Sequence, residues 1–443
     1  MTSHAPTVVD TLITARWIVP VQPDETILEH HAIAIKDGRI EAIMPTARAF
    51  SEYTAAETHE LGNHVLIPGL INTHTHAAMT LFRGMADDMP LMTWLQEHIW
   101  PAEQQWVAPG FVEDGTRLAI AEMLRGGTTC FNDMYFFPDH AAEVASEIGM
   151  RINVGLIVID FPTPWAQTAD EYIHKGIEVH DKYKHNPLVT SAFAPHAPYT
   201  VSDEPMQQLA TYAEELNLQI HMHVHETAFE VEQAMEQHGM RPLAKLESMH
   251  MLNERLLAVH MTQLDHEEMD KVARHGVHVV HCPESNLKLA SGFCPVNALL
   301  ERGINVAMGT DGAASNNDLD MLGEARTAAQ LAKAVANNPS AVPAWQTLKM
   351  ATLNGAKALG LDYDIGSLET GKAADIVAID LMQPATQPVY DPVSQVIYAA
   401  SRQQVSDVWV NGRQLLQDSQ LTTIDQERLI TLTDDWRAKI SNG

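Results

Sequence analysis

Pro68-Gly69-Leu70-Ile71-Asn72-Thr73-His74-Thr75-His76 is the stretch on which the reading of this chain turns. An apolar run over residues 65–71 has the character of a buried strand and ends in two histidines spaced i, i+2. Side chains alternate along an extended chain, so both imidazoles point to one face. Two neutral imidazoles converging at a strand's end are half of a transition-metal site. A short motif of this kind also occurs by chance. The remaining half has to come from elsewhere in the sequence.

Downstream, short apolar segments alternate with amphipathic stretches. Strands are expected over 127–133, 151–159, 189–194, 218–224, 256–259, 277–280 and 304–308. Helices are expected between them, over 138–148, 204–216, 227–237 and 266–275 among others. With the opening strand this makes eight strands in βα alternation, the count of a closed (β/α)8 TIM-type barrel. An open doubly wound sheet is the rival, but no glycine-rich phosphate loop follows the first strand.

The residues at or just past the strand ends are, in order, His74 with His76, Asp133, Asp160, His196, His223 to Glu226, His260, His281 and Asp311. A barrel gathers its chemistry at that face. So many titratable endings are hard to assign to packing alone.

Outside this core the two ends of the chain look alike. Asp37-Gly38 separates apolar strands over 31–36 and 39–43, a hairpin signal, and Asn411-Gly412 does the same between 407–410 and 413–416. The fold class expected is therefore α/β: the barrel, over 67–370, with a small β-sandwich domain built from both termini, 1–66 and 371–443.

The 443 residues allow a large domain plus a small one. A net charge of −29 argues against nucleic acid and anionic membranes as partners. No run approaches the roughly 18 apolar residues a membrane helix needs. Residues 1–10 lack the basic and apolar regions of a signal peptide. Cys130, Cys282 and Cys294 are too scattered for a disulfide framework, and a reducing cytoplasm fits them.

Taken singly, several candidates have plain readings. A lone histidine such as His260 is ordinarily a core or surface residue. Glu226 could be a helix N-terminal acid, and Glu103 in Trp100-Pro101-Ala102-Glu103 a first-turn acid after proline. His221, His223 and His225 share one face of a straight strand, so periodicity does not choose among them.

Longer motifs choose. The opening stretch, His221-Met-His-Val-His-Glu226-Thr227, His281-Cys-Pro-Glu-Ser-Asn-Leu-Lys-Leu-Ala-Ser-Gly292 and Met308-Gly-Thr-Asp311-Gly resemble the amidohydrolase superfamily. Within it, the chain is similar over nearly its whole length to the 5′-methylthioadenosine/S-adenosylhomocysteine deaminases. The resemblance implies a metal held by His74, His76, His223 and Asp311, and catalytic roles for Glu226, His260 and Asp311. Glu103, His196, Glu226 and Asp311 would contact a nucleoside substrate. His281 would stand behind the ligands, with His221 and His225 structural.

Two-metal members bridge their ions with a lysine or glutamate on strand four. Residues 189–196 hold neither, so one ion per subunit is expected. A mixed His/Asp set without redox demands suits Zn2+, with Fe2+ or Mn2+ as alternatives. The implied reaction is hydrolytic deamination of an adenine nucleoside, by a cytoplasmic homo-oligomer.

Members that take S-adenosylhomocysteine are thought to hold its carboxylate with arginines on and after strand three. Residues 152–170 contain no Lys or Arg, and Arg151 opens the strand, toward the other end of the barrel. Phe161, Pro162, Pro164 and Trp165 offer apolar surface, suited to a methylthio group. The expected substrate is thus 5′-methylthioadenosine, giving 5′-methylthioinosine and ammonia, with S-adenosylhomocysteine and adenosine less favoured. The alternatives are deamination of a guanine, 8-oxoguanine or cytosine type of heterocycle, and a barrel kept only for binding.

Overall fold

The computed structural model describes residues 5–442. The chain opens with Thr7–Ile18 (β1), Leu28–Lys36 (β2), Arg39–Pro45 (β3) and Tyr53–Pro68 (β4). Leu70–Thr75 (β5), Thr128–Tyr135 (β6), Arg151–Val158 (β7) and Val189–Pro195 (β8) follow. Next come Gln219–Val224 (β9), Leu256–His260 (β10), His278–His281 (β11) and Val306–Met308 (β12). Ile376–Asp380 (β13), Val405–Val410 (β14), Arg413–Gln417 (β15) and Gln420–Leu421 (β16) complete the set.

β5 to β12 pair in sequential order, each parallel to the next. Every residue of β6 and β7 is buried, as a sheet covered on both faces requires. The ring closes between β12 and β5 through the loop after β12. Thr73 Oγ1 donates to the Met308 carbonyl at 2.7 Å, Thr310 N donates to Asn72 Oδ1 at 3.0 Å, and Asp311 N donates to the His74 carbonyl at 3.0 Å. Gly309 permits this approach, since a Cβ there would lie 2.6 Å from His74 N. The eight-stranded barrel expected from the alternation is present. The helix expected over 138–148 is Pro138–Ile148, with proline in its first turn and a left-handed Gly149 after it.

β1–β4 and β13–β16 form one separate eight-stranded sheet, in the order β16-β15-β14-β13-β4-β1-β2-β3. Both expected hairpins occur, with Lys36 opposite Arg39 and Val410 opposite Arg413. One expectation is corrected. The apolar run over 65–71 is not one strand: residues up to Pro68 pair with β13 in the terminal sheet, and the barrel begins at Leu70. The chain crosses between sheets at Gly69, where a Cβ would lie 1.9 Å from Thr129 Oγ1. Proline then glycine, both apolar in a pattern count, hide that break.

Arg151, at the start of β7, joins the two units. It is 4% exposed, and its Nε lies 3.1 Å from Asp375 Oδ2 and its Nη2 3.3 Å from Oδ1. The last helix, Gln426–Asn442, leans on the barrel helix Pro109–Arg125, with Trp436 Nε1 donating to Asp114 Oδ2 at 2.8 Å. Among the described residues no helix is long and apolar enough to cross a membrane.

Candidate active site

At the C-terminal ends of the barrel strands, ligand atoms of His74, His76, His223 and Asp311 all lie within 4.8 Å of one another. Each ring is oriented from behind. His76 Nδ1 donates to the Met134 carbonyl and His223 Nδ1 to the His196 carbonyl, both at 2.7 Å. His74 Nδ1 lies 2.8 Å from His221 Nε2. A ring that donates through Nδ1 and is neutral carries a lone pair at Nε2. His74 Nε2 and His223 Nε2 nevertheless face each other at 3.2 Å, and Asp311 Oδ1 lies 3.2 Å from His74 Nε2 and 3.3 Å from His76 Nε2.

Such a convergence of lone pairs fits a cation. Burial pulls His74 down to about 4, which favours the ligating neutral form. Against its burial, His76 is pushed up to about 9 by the Asp311 carboxylate, which draws positive charge to this point. Asp311 itself, though burial opposes it, is held well below the usual carboxylate range by His74 and His76. Its Oδ2 accepts hydroxyl protons from Ser285 at 2.7 Å and Ser315 at 3.0 Å.

Left-handed backbone gathers here at non-glycine residues: φ is 54° at His225, 75° at His260 and 63° at Asp311. Conformations of this kind persist where surrounding contacts over-determine them. His260 Nδ1 sits 2.9 Å from Asn286 Oδ1, and its Nε2 is 3.9 Å from Glu226 Oε2. Its ring stacks on His223 at 15°. Burial raises the Glu226 carboxyl, with the Asp311 charge adding to it.

These groups open into a cavity of about 380 Å³. Leu91, Trp94, Leu95, Ile99 and Trp100 form one wall and Phe161, Pro162 and Pro164 another. Glu103 and His196 also line it. Burial pushes the Glu103 carboxyl up to about 7 and pulls the His196 imidazole down to about 3. Among the described residues no Lys or Arg lines this cavity.

All eight residues named from the sequence as metal, catalytic or substrate-binding groups thus share one cavity or its floor. Other strand endings do not. Asp160 is exposed and accepts from Ser202 N. Asp133 is buried and holds the turn after β5 through Ala77 N at 2.7 Å. His281 is buried outside the cavity lining. Trp165 packs on Phe137 and Lys175 instead of facing the cavity. Arg151 stands at the far end of the barrel, as expected.

His225 leaves the strand face because its left-handed φ ends the extension after Val224. Ser285, Asn286 and Tyr135, the last lining the cavity with Glu103, were not singled out beforehand. The first two lie inside the His281–Gly292 motif, so a signal existed; Tyr135 carries none.

A family model described as Amidohydrolase family matches residues 65–415. The chain belongs to the amidohydrolase family. This amidohydrolase is 49% identical over 434 residues to a 5-methylthioadenosine/S-adenosylhomocysteine deaminase of Teredinibacter turnerae, covering 98% of each chain. It is 48% identical to the protein of the same name from Saccharophagus degradans, covering 99% of this chain and 98% of that one. Among solved structures it is similar to an adenosine deaminase from Xanthomonas campestris with bound zinc, at 52% identity and a TM-score of 0.98 over 99% and 100% of the two chains. It also resembles the zinc complex of atrazine chlorohydrolase TrzN from Arthrobacter aurescens, at 25% identity and a TM-score of 0.89 over 96% and 99%.

Proposed function

We propose that this amidohydrolase deaminates adenine nucleosides hydrolytically, acting best on 5′-methylthioadenosine to give 5′-methylthioinosine and ammonia. The observation that carries this reading is the cavity itself. It sets Glu226 beside the His/Asp cluster, brings in Glu103 and His196, and has a largely apolar remaining wall with no Lys or Arg among the described residues. The names of the relatives support the same chemistry.

In this reading His74, His76, His223 and Asp311 hold one Zn2+ per subunit, as the zinc of the similar structure suggests. When bound, zinc supplies the Lewis acidity that makes water a nucleophile near neutral pH. Asp311, whose Oδ2 is fixed by two hydroxyls, accepts the proton that water releases. His260, its Nδ1 engaged by Asn286, offers Nε2 to orient that water. Glu226, whose carboxyl burial raises toward the protonated form, gives a proton to the purine ring nitrogen next to the amino-bearing carbon. The amino group then takes the proton held by Asp311 and leaves as ammonia, while the new hydroxyl returns a proton to Glu226 as the carbonyl forms. At the other end of the substrate, Glu103 accepts hydrogen bonds from two vicinal ribose hydroxyls, and His196 packs on the nucleoside. A methylthio group meets Phe161 and its apolar neighbours, which offer an amino-acid carboxylate no partner.

The wider reading keeps residues 67–370 as the hydrolase unit and 1–66 with 371–443 as the composite β-domain. A cytoplasmic setting fits the three buried, unpaired cysteines. A homo-oligomer is the expectation of the family resemblance, to be tested by light scattering.

The deciding experiment is an ultraviolet deamination assay of zinc-loaded enzyme on 5′-methylthioadenosine, S-adenosylhomocysteine and adenosine. A large preference for the first supports the whole reading. Comparable rates on S-adenosylhomocysteine keep the deaminase and remove the specificity argument. Silence on all three, with turnover of guanine, 8-oxoguanine or cytosine, overturns the nucleoside assignment.

A further inference from the structure

Behind Glu226 lies a second carboxylate that the chemistry above does not use. Glu230 stands in the first turn of helix Ala228–His238 and is 5% exposed. Its Oε1 accepts the His225 N–H at 3.1 Å and its Oε2 the Glu226 N–H at 2.7 Å. From the opposite side, Thr262 Oγ1 donates to the Glu226 carbonyl at 2.7 Å, and Thr262 N to the His225 carbonyl at 3.0 Å. Glu230 is itself anchored, its N–H donating to Thr227 Oγ1 at 3.2 Å.

These bonds enclose the left-handed turn at His225, φ 54°, that ends β9. Left-handed backbone is uncommon outside glycine, though histidine takes it more readily than most, and it persists where surrounding contacts hold it. The turn decides where the next side chain goes. Were His225 to continue the strand, Glu226 would follow the alternation of β9 rather than line the cavity.

We propose that Glu230, with Thr262, is the positioning pair for Glu226: their grip on both sides of one peptide unit fixes the His225 turn and so sets the Glu226 carboxyl 3.9 Å from His260 Nε2. The inference rests on the reading of Glu226 as the proton carrier. The two oxygens of this one carboxyl accept both N–H groups, a directional clamp that stands on geometry, since burial pushes the carboxyl up to about 8. A carboxamide in its place accepts one of them and turns its own N–H toward the other. His260, His76, Asp311, Tyr199 and Glu230 all act electrostatically on Glu226, so a shifted turn changes the carboxyl's surroundings as well as its reach.

The test uses zinc-loaded Glu230→Gln, Thr262→Val, Glu226→Gln and the Glu226→Gln/Glu230→Gln double variant, assayed on 5′-methylthioadenosine. Glu230→Gln should lower kcat roughly 10- to 100-fold, as expected of a group displaced by about 1 Å. Zinc content should hold, KM should stay within about twofold, and the limb of the kcat–pH profile belonging to Glu226 should move. Because Glu230 acts through Glu226, the double variant should be no slower than Glu226→Gln alone.

An unchanged kcat and pH profile in Glu230→Gln overturns the inference. So does a full second loss in the double variant, which is the pattern of a merely structural residue. If Glu230→Gln does not fold, Thr262→Val decides by the same two readouts. Full activity in Glu226→Gln removes the reading of Glu226 itself, an outcome distinct from the failure of Glu230 alone.

Discussion

His223 Nε2 lies 3.2 Å from His74 Nε2, on rings brought from β9 and β5, and the Nδ1 of His223 is committed to a backbone carbonyl. With a lone pair on each Nε2 the two rings repel, and a cation between them relieves that repulsion. The arrangement is therefore expected to gain stability when a metal binds. Chelation should lower the melting temperature, and zinc should restore it, the gain growing with the logarithm of free zinc above its Kd. Saturation at a hundredfold over Kd corresponds to about 3 kcal/mol. His74→Ala should lose both the ion and the zinc-dependent shift, read by metal analysis alongside calorimetry.

Glu226→Gln keeps the shape of the side chain and removes its proton chemistry. Turnover of 5′-methylthioadenosine should fall roughly 10²- to 10⁴-fold while zinc content is unchanged. Equal activity in the variant would show that the proton reaches the purine by another route.

Glu103 has its carboxyl pushed up to about 7 by burial. The ionised form, which can accept from two hydroxyls, therefore predominates above that pH and is lost below it. KM for ribonucleosides should rise as pH falls through about 7, with kcat less affected. Glu103→Gln should flatten this dependence, and a 2′,3′-dideoxy substrate should not show it.

Phe161 lines the cavity in a region free of cations, with its ring 5.8 Å from Trp100. Phe161→Arg should raise kcat/KM for S-adenosylhomocysteine relative to 5′-methylthioadenosine. One charge-assisted hydrogen bond to the carboxylate, about 1.5 kcal/mol, corresponds to roughly tenfold. A ratio that does not move would mean the substrate's tail lies against a different wall.

Arg151 and Asp375 are 4% and 3% exposed, and Asp375 Oδ1 also accepts Asn411 N at 2.7 Å. Arg151→Met strands that carboxylate between barrel and terminal sheet. Urea unfolding should show a loss of about 3–5 kcal/mol. Adding Asp375→Asn should recover part of it, since the residual charge is then gone.

Much of this molecule is written in local pattern. Alternation and turn residues mark the eight barrel strands and both hairpins, and the candidate ligands His74, His76, His223 and Asp311 stand at strand ends where a barrel's chemistry collects. Spacing along the chain fixes which side chains share a face, because strand geometry repeats every two residues. It does not record which strands become neighbours or where an extension stops.

For that reason only the tertiary structure divides residues 65–71 between two sheets at Gly69, where the Thr129 side chain leaves no room for a Cβ. For the same reason it alone separates His221, His223 and His225. His221 meets His74, His223 faces the ligand centre, and His225 is turned out of the strand by contacts from Glu230, Leu243 and Thr262. Asp160 ends a strand like the others yet faces solvent, and the apolar wall over 91–100 comes from short helical segments between β5 and β6, outside the barrel alternation. Sequence determines the side chains available at each strand end. Contacts between segments far apart in the chain decide which of them meet.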